Sequence, residues 1–251
     1  MPRRLGLVAL PDAILRPVRE GNAFETTVEH LATAIRLGVF ATGERLPPER
    51  ELAERLKVGR ATLREAIAAL RLAGLVTTTR GRAGGTVVVY RGPSSDAAAA
   101  GEGPAALRTL CRTPAEVADA LAFRRVVEPG AAALAAGADL SAESRTWLCE
   151  ALDEAGAAAD DDGRRLADTR LHLAVATLTG SPLVIDAVRQ AQVLLREMLA
   201  AIPVLRANIE HSTAQHEAIV AAILRGDPDG AGRTMQEHCD ATSALIRGLL
   251  G

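Results

Sequence analysis

The run from Gly43 to Val89 constrains this chain more than any other, because two short helical patterns, a tight turn and a glycine-rich hairpin follow one another without spare residues. It reads GERLPPERELAERLKVGRATLREAIAALRLAGLVTTTRGRAGGTVVV. A first-turn proline gives up only an amide that would be unpaired anyway, so a helix is expected to begin near Pro48. Glu49 and Glu51 suit its positive end, and Leu52, Ala53 and Leu56 give it a buried face, which turns Arg50 and Arg55 outward. After Lys57-Val58-Gly59, Leu63, Ile67 and Leu70 recur at i, i+4 and i+7, so Arg60, Thr62 and Arg64 lie on the opposite face near the second helix's start. Leu75–Thr79 and Thr86–Tyr90 are β-branched runs, and Gly81, Gly84 and Gly85 between them offer the positive φ angles of a hairpin. Arg80 and Arg82 fall at its tip. This is the pattern of a winged helix-turn-helix, whose second helix meets base edges and phosphates while the wing reaches the neighbouring groove. The plain alternative for each arginine taken singly is a solvated basic loop.

These residues resemble the GntR-type transcription regulators. The family's pattern is present as Leu46-Pro47-Pro48-Glu49-Arg50-Glu51-Leu52-Ala53, Val58-Gly59-Arg60, Leu63-Arg64-Glu65-Ala66 and Gly74-Leu75, within roughly residues 24 to 90. Gly59 departs from it, since Ser or Thr is usual there and caps the helix or touches a phosphate. Carried over to the matching positions, the resemblance implies DNA contacts from Arg50, Arg60, Thr62, Arg64 and Gly81, to which the wing position adds Arg80.

Charge supports a division of labour. Residues 1 to 92 hold 15 Lys or Arg against 9 Asp or Glu, a formal +6, whereas residues 93 to 251 hold 14 against 22, a formal −8. The whole-chain −2 conceals a basic head that suits a polyanion and an acidic body that avoids one. No run of about 18 apolar residues is present, which argues against a membrane-spanning helix. Pro11 and Asp12 interrupt the opening apolar stretch before a signal-peptide core forms, so residues 1–22 read as an N-terminal arm. Cys111, Cys149 and Cys239 are widely spaced and odd in number, which favours a reducing cytoplasm, with small buried or half-buried thiols.

The boundaries follow. Residues 23–92 form the head, and the Gly-, Pro-, Ser- and Ala-rich stretch 93–113 reads as a linker. Residues 114–251 form a helical body. Pro114–Ala136, Ala142–Ala159, Arg164–Leu178, Pro182–Ala201, Asn208–Arg225 and Pro228–Leu250 all show 3,4 apolar spacing, and Asp160 to Gly163 is read as a break. The expected architecture is mainly α: a winged helix-turn-helix followed by an antiparallel bundle of six to seven helices.

Within the body the histidines carry the chemistry. Asp168 and His172 are four apart and share a helix face, and His216 and His238 lie beside apolar faces of two later helices. If the three helices converge, one carboxylate and three neutral imidazoles surround a point, a set suited to Zn²⁺, Mn²⁺ or Ni²⁺ with positions left open for a small molecule. The spacing alone leaves open that these are satisfied core histidines and a helix-surface pair. His211 fits no pattern and is expected to be exposed.

This half resembles the FCD effector domain of FadR-type GntR members. The resemblance rests on Arg124-x-x-x-Glu128 with Ala131 to Ala136, Asp168-x-x-x-His172, Gly180-Ser181-Pro182, His216-Glu217-Ala218-Ile219, Ala222-Ile223-x-x-Gly226-Asp227 and His238. It implies a divalent metal on Asp168, His172, His216 and His238, and an organic acid whose carboxylate completes the coordination. Arg124 is the candidate clamp for that carboxylate, with Glu128 holding the guanidinium, and a surface ion pair between the two is the plainer reading.

The sequence thus reads as a cytoplasmic, homodimeric repressor of a catabolic operon that binds paired half-sites on duplex DNA and answers to a small carboxylic acid. Two other classes stay open at this stage: a metal-dependent enzyme fused to a DNA-binding head, and a metal-free ligand-binding regulator. Against the enzyme, Glu217 points about 100° away from His216 around its helix, and no nucleophile motif occurs.

Overall fold

The computed structural model describes residues 22–36, 39–79, 85–90, 113–157 and 160–250. The expected arm except Asn22, the wing tip from Arg80 to Gly84, the linker up to residue 112 and Cys111 lie outside the described residues. Among the described residues there are nine helices and one two-stranded sheet, which divide into two compact units.

The first unit contains α1 (Ala23–Arg36), α2 (Glu49–Leu56), α3 (Arg60–Leu72), β1 (Val76–Thr79) and β2 (Gly85–Val88). Its core joins Val28, Leu31 and Ile35 of α1, Leu52 and Leu56 of α2 and Leu63, Ile67 and Leu70 of α3 to Val76 and Val88 of the sheet, all buried. Pro48 stands at the N-cap of α2 and Gly59 at that of α3, and neither supplies a side-chain cap. Lys57 closes α2 in the left-handed region at φ 53°, which makes the turn between the two helices tight. The strands are antiparallel, with Val76 opposite Val88 and Thr79 opposite Gly85. β1 begins one residue later than its β-branched run because Gly74, at φ 73°, ends α3 and the Leu75 amide is spent on the Leu70 carbonyl at 2.9 Å.

The helix α1 and one partner of it have no counterpart in the sequence reading. Ala241–Gly251 belongs to this unit although the body was expected to run unbroken to the terminus. Arg36 of α1 donates to the carbonyls of Gly248 at 2.7 Å and Leu249 at 3.0 Å, so its guanidinium satisfies the orphaned end of the last helix. Arg247 pairs with Glu29 at 2.7 Å. At Gly248 an added Cβ would sit 2.9 Å from the Glu29 Cα, so the two backbones touch only because that position lacks a side chain. Gly248→Val is therefore expected to cost about 1–3 kcal/mol through overpacking, which a urea melt would read.

The second unit holds α4 (Pro114–Ala136), α5 (Ala142–Ala157), α6 (Asp161–Thr177), α7 (Pro182–Ala200), α8 (Arg206–Arg225) and the first part of α9 (Pro228–Leu250). Ala132, Leu148, Leu171, Val175, Ile219, Ile223 and Met235 build its main core, and Ala131, Ala176 and Val188 a smaller one. The break expected from Asp160 to Gly163 is in fact a helix entry: the Asp160 carboxylate accepts from the Gly163 amide at 2.7 Å, so α6 starts three residues earlier than its apolar spacing shows. Gly226, at φ 68°, ends α8, and Asp227 then caps α9 by accepting from the Gly230 amide at 2.9 Å. These caps fix where α6, α8 and α9 begin and end, and so which faces carry the histidines.

Candidate metal centre and nucleic-acid interface

In the first unit, the start of α3 presents Arg60 and Arg64 exposed and Thr62 half-buried, while Leu63 and Ile67 point into the core. Arg64 donates to Glu49 at 2.8 Å, and Arg50 lies 3.9 Å from Glu54 with both side chains in solvent. Both pairs are exposed, and such pairs are worth little in water. Arg80 and Gly81 lie outside the described residues.

In the second unit, α6, α8 and α9 bring Asp168, His172, His216 and His238 together, with one ligand atom of each within 4.8 Å of the others. The imidazole centroids are 5.4 Å apart for His172 and His216, 5.1 Å for His172 and His238, and 4.6 Å for His216 and His238. All three rings are buried, and the Asp168 carboxylate, with 27% of its side chain exposed, faces His216 Nε2 at 3.3 Å. Buried His172 Nδ1 and Nε2 and His216 Nε2 have no aligned hydrogen-bond partner, nor do Nη1 and Nη2 of Arg124.

The surroundings sort the three rings. Burial pushes His216 down to about 4, against the pull of Asp168, and pushes His238 well below the ordinary range, helped by repulsion from His216 and Arg124. These two are neutral donors near pH 7. His172 goes the other way: burial opposes its charge, but Glu128 outweighs it and raises the imidazole. Glu128 is itself buried, yet Arg124 and His172 hold its carboxyl far below the usual range. A divalent ion fits such a donor set, because the orphaned nitrogens of His172 and His216, the buried His238 ring and the Asp168 carboxylate lie close to one another.

The Arg124–Glu128 pair is not on the surface. Both side chains are 1% exposed, with Nε to Oε2 at 3.0 Å, so the two form a buried ion pair. His211 is half-buried and not exposed as expected, Cys149 is exposed and Cys239 fully buried. Sequence reasoning missed Gln192, which donates to Glu128 at 2.7 Å, Gln215 at 3.2 Å from His238 Nδ1, and the approach of Glu128 to His172 Nδ1 at 3.0 Å. Glu128 and Gln192 are 64 residues apart with no local pattern to link them.

Comparison with known proteins agrees with this division. The family profile "Bacterial regulatory proteins, gntR family" matches residues 24–88, and that of the FCD domain residues 119–241. The HTH-type transcriptional repressor NanR of Citrobacter rodentium is 33% identical over 240 residues, 93% of this chain and 89% of its own. NanR of Escherichia coli K12 is 34% identical over 235 residues, 91% and 86% of the two chains. A solved GntR structure from Streptococcus agalactiae shares 24% identity at a TM-score of 0.44, covering 88% of this chain and 98% of that one. The two NanR relatives are regulators, and Glu217 is exposed beside the buried His216, so the enzyme reading is set aside. No described helix is long and apolar enough to cross a membrane. The chain belongs to the GntR family of transcription regulators, with a winged helix-turn-helix head followed by an FCD domain.

Proposed function

We propose that this protein is a cytoplasmic repressor of the FadR type whose FCD domain holds a divalent metal and a small organic acid, and whose head releases DNA when the acid binds. The observation that carries the reading is the set of orphaned atoms: Arg124 Nη1 and Nη2 and three imidazole nitrogens of His172 and His216, all buried in the unit that holds Asp168. Buried polar atoms without partners are costly, and a ligand that satisfies them recovers that cost. Asp168, His172, His216 and His238 would hold the ion, which when bound supplies a Lewis-acid centre for a carboxylate oxygen. Arg124 would pair with the same acid through its planar fork, its Nε already fixed by Glu128.

The head spans 23–92 and the sensing body 114–240, joined by a linker at 93–113 and preceded by an arm at 1–22, with Ala241–Gly251 packed in the head's unit. Arg50, Arg60, Thr62, Arg64, Arg80 and Gly81 are the proposed DNA contacts. Two heads on paired half-sites require a dimer, and Val126 and Leu134 on α4 and Leu183 and Val193 on α7 are exposed apolar side chains that a second copy would cover. Sedimentation equilibrium should give twice the chain mass, and a monomer at micromolar concentration would remove this part.

The acid acts only through its different affinity for the two states of the protein, typically about 1–3 kcal/mol of coupling. The test combines metal analysis with binding to operator-containing duplex followed by fluorescence anisotropy. Native protein should purify with about one metal per chain and lose DNA affinity about 5- to 150-fold with the effective acid. Asp168→Ala with His172→Ala should lack both the metal and the response, yet still bind duplex. Unchanged metal content in that variant would favour the metal-free regulator instead.

A further inference from the structure

We infer that Glu128 is the positioning residue of the sensing site: it selects which nitrogen of His172 faces the metal and aims Arg124 with the same oxygen. This rests on the metal reading above. Glu128 lies in the middle of α4 and is 1% exposed. Its Oε2 meets Arg124 Nε at 3.0 Å, His172 Nδ1 at 3.0 Å and Cys239 Sγ at 3.5 Å, while its Oε1 accepts from Gln192 Nε2 at 2.7 Å. Four groups from α4, α6, α7 and α9 therefore converge on one carboxylate.

An imidazole can face a ligand with either nitrogen, and the partner of the other nitrogen decides which. His172 sets its Nδ1 3.0 Å from Glu128 Oε2, which leaves Nε2 as the nitrogen turned away from that carboxylate, and neither nitrogen has an aligned hydrogen bond in the metal-free fold. A carboxylate behind a histidine also makes the ring a stronger donor, and loss of such a partner typically weakens metal binding about 10- to 100-fold. His238 is backed by an uncharged acceptor, Gln215 Oε1, at 3.2 Å from its Nδ1. Because Arg124 and His172 share Oε2, Glu128 cannot shift for one without shifting for the other, which links the acid clamp to the metal donor.

The test is zinc affinity alone, measured on full-length native protein and on Glu128→Gln by competition with a fluorescent chelator. Expected is a loss of about 10- to 100-fold at unchanged helical content. A second measurement uses ¹⁵N shifts of the histidines in zinc-loaded native protein, which should show His172 protonated at Nδ1 and bound through Nε2. A folded Glu128→Gln that binds zinc within about threefold of native would overturn the role of Glu128 and leave the metal reading standing. Zinc on Nδ1 of His172 would overturn it too, even if the variant failed to fold. Native protein that takes up no zinc would overturn both.

Discussion

Replacing Arg124 by Leu is expected to destabilise the metal-free protein by about 3–5 kcal/mol, because it strands a buried carboxylate. Glu128 stays ionised in the interior chiefly through the adjacent guanidinium, with His172 second. Removing both charges is a different matter. Arg124 carries two guanidinium nitrogens with no partner, a cost the native fold accepts, so the double change to Leu at 124 and 128 should recover most of the lost stability. Urea melts of the four proteins form the cycle that separates the pair from its members. If the single and double variants were equally unstable, the buried pair would be a source of net stability and not a site kept under strain for a ligand. The same double variant should no longer respond to any acid, which is the trade between stability and function that such sites show.

The local devices of the fold were legible in the sequence because they are written in adjacent residues. Leu63, Ile67 and Leu70 mark one face of α3, Pro114 and Ala136 bound α4, and Gly226 with Asp227 separates the last two helices. The candidate metal ligands were legible in a weaker sense. Asp168 and His172 share a helix turn, but nothing in their spacing says that His216 and His238 stand beside them, and it was the family likeness that joined the three helices. What stayed hidden depends on contacts between distant segments: Gln192 on Glu128, Gln215 on His238, and Arg36 on the carbonyls of the last helix. A glutamine or arginine in a helix pattern carries no sign of its partner, so only the packed structure can supply it. Asp160 failed for a different reason, since an acidic residue before a weakly apolar turn reads as a loop until its side chain is seen to cap one.

The metal-free protein should lose stability as the pH falls from about 6.5 to about 4, and zinc should oppose that loss. Imidazoles in the unfolded chain titrate near 6.5. In the fold burial holds His216 down to about 4 and His238 well below its ordinary value. Over that interval the unfolded chain binds protons that the native state refuses, so their contribution is present above 6.5 and disappears as acid is added. For His216 the gap of about 2.5 units corresponds to about 3 kcal/mol. His172 cannot compensate. Its folded value is raised, so its contribution is complete below 6.5 and declines only toward alkaline pH. Glu128, held far down, begins to cost stability only once the pH drops beneath the usual carboxylate range, so the histidine pair dominates the upper part of the window. Free zinc at a hundred times its Kd would add about 2.7 kcal/mol at neutral pH, shrinking as protons compete for the same nitrogens. Urea midpoints taken between pH 7 and pH 4.5, with chelator and with zinc, should therefore fall in both series from different heights and converge in acid. A flat chelator series would mean that the rings are not held neutral against one another in the folded protein, and a zinc series that overlays it at pH 7 would mean that no ion is taken up there.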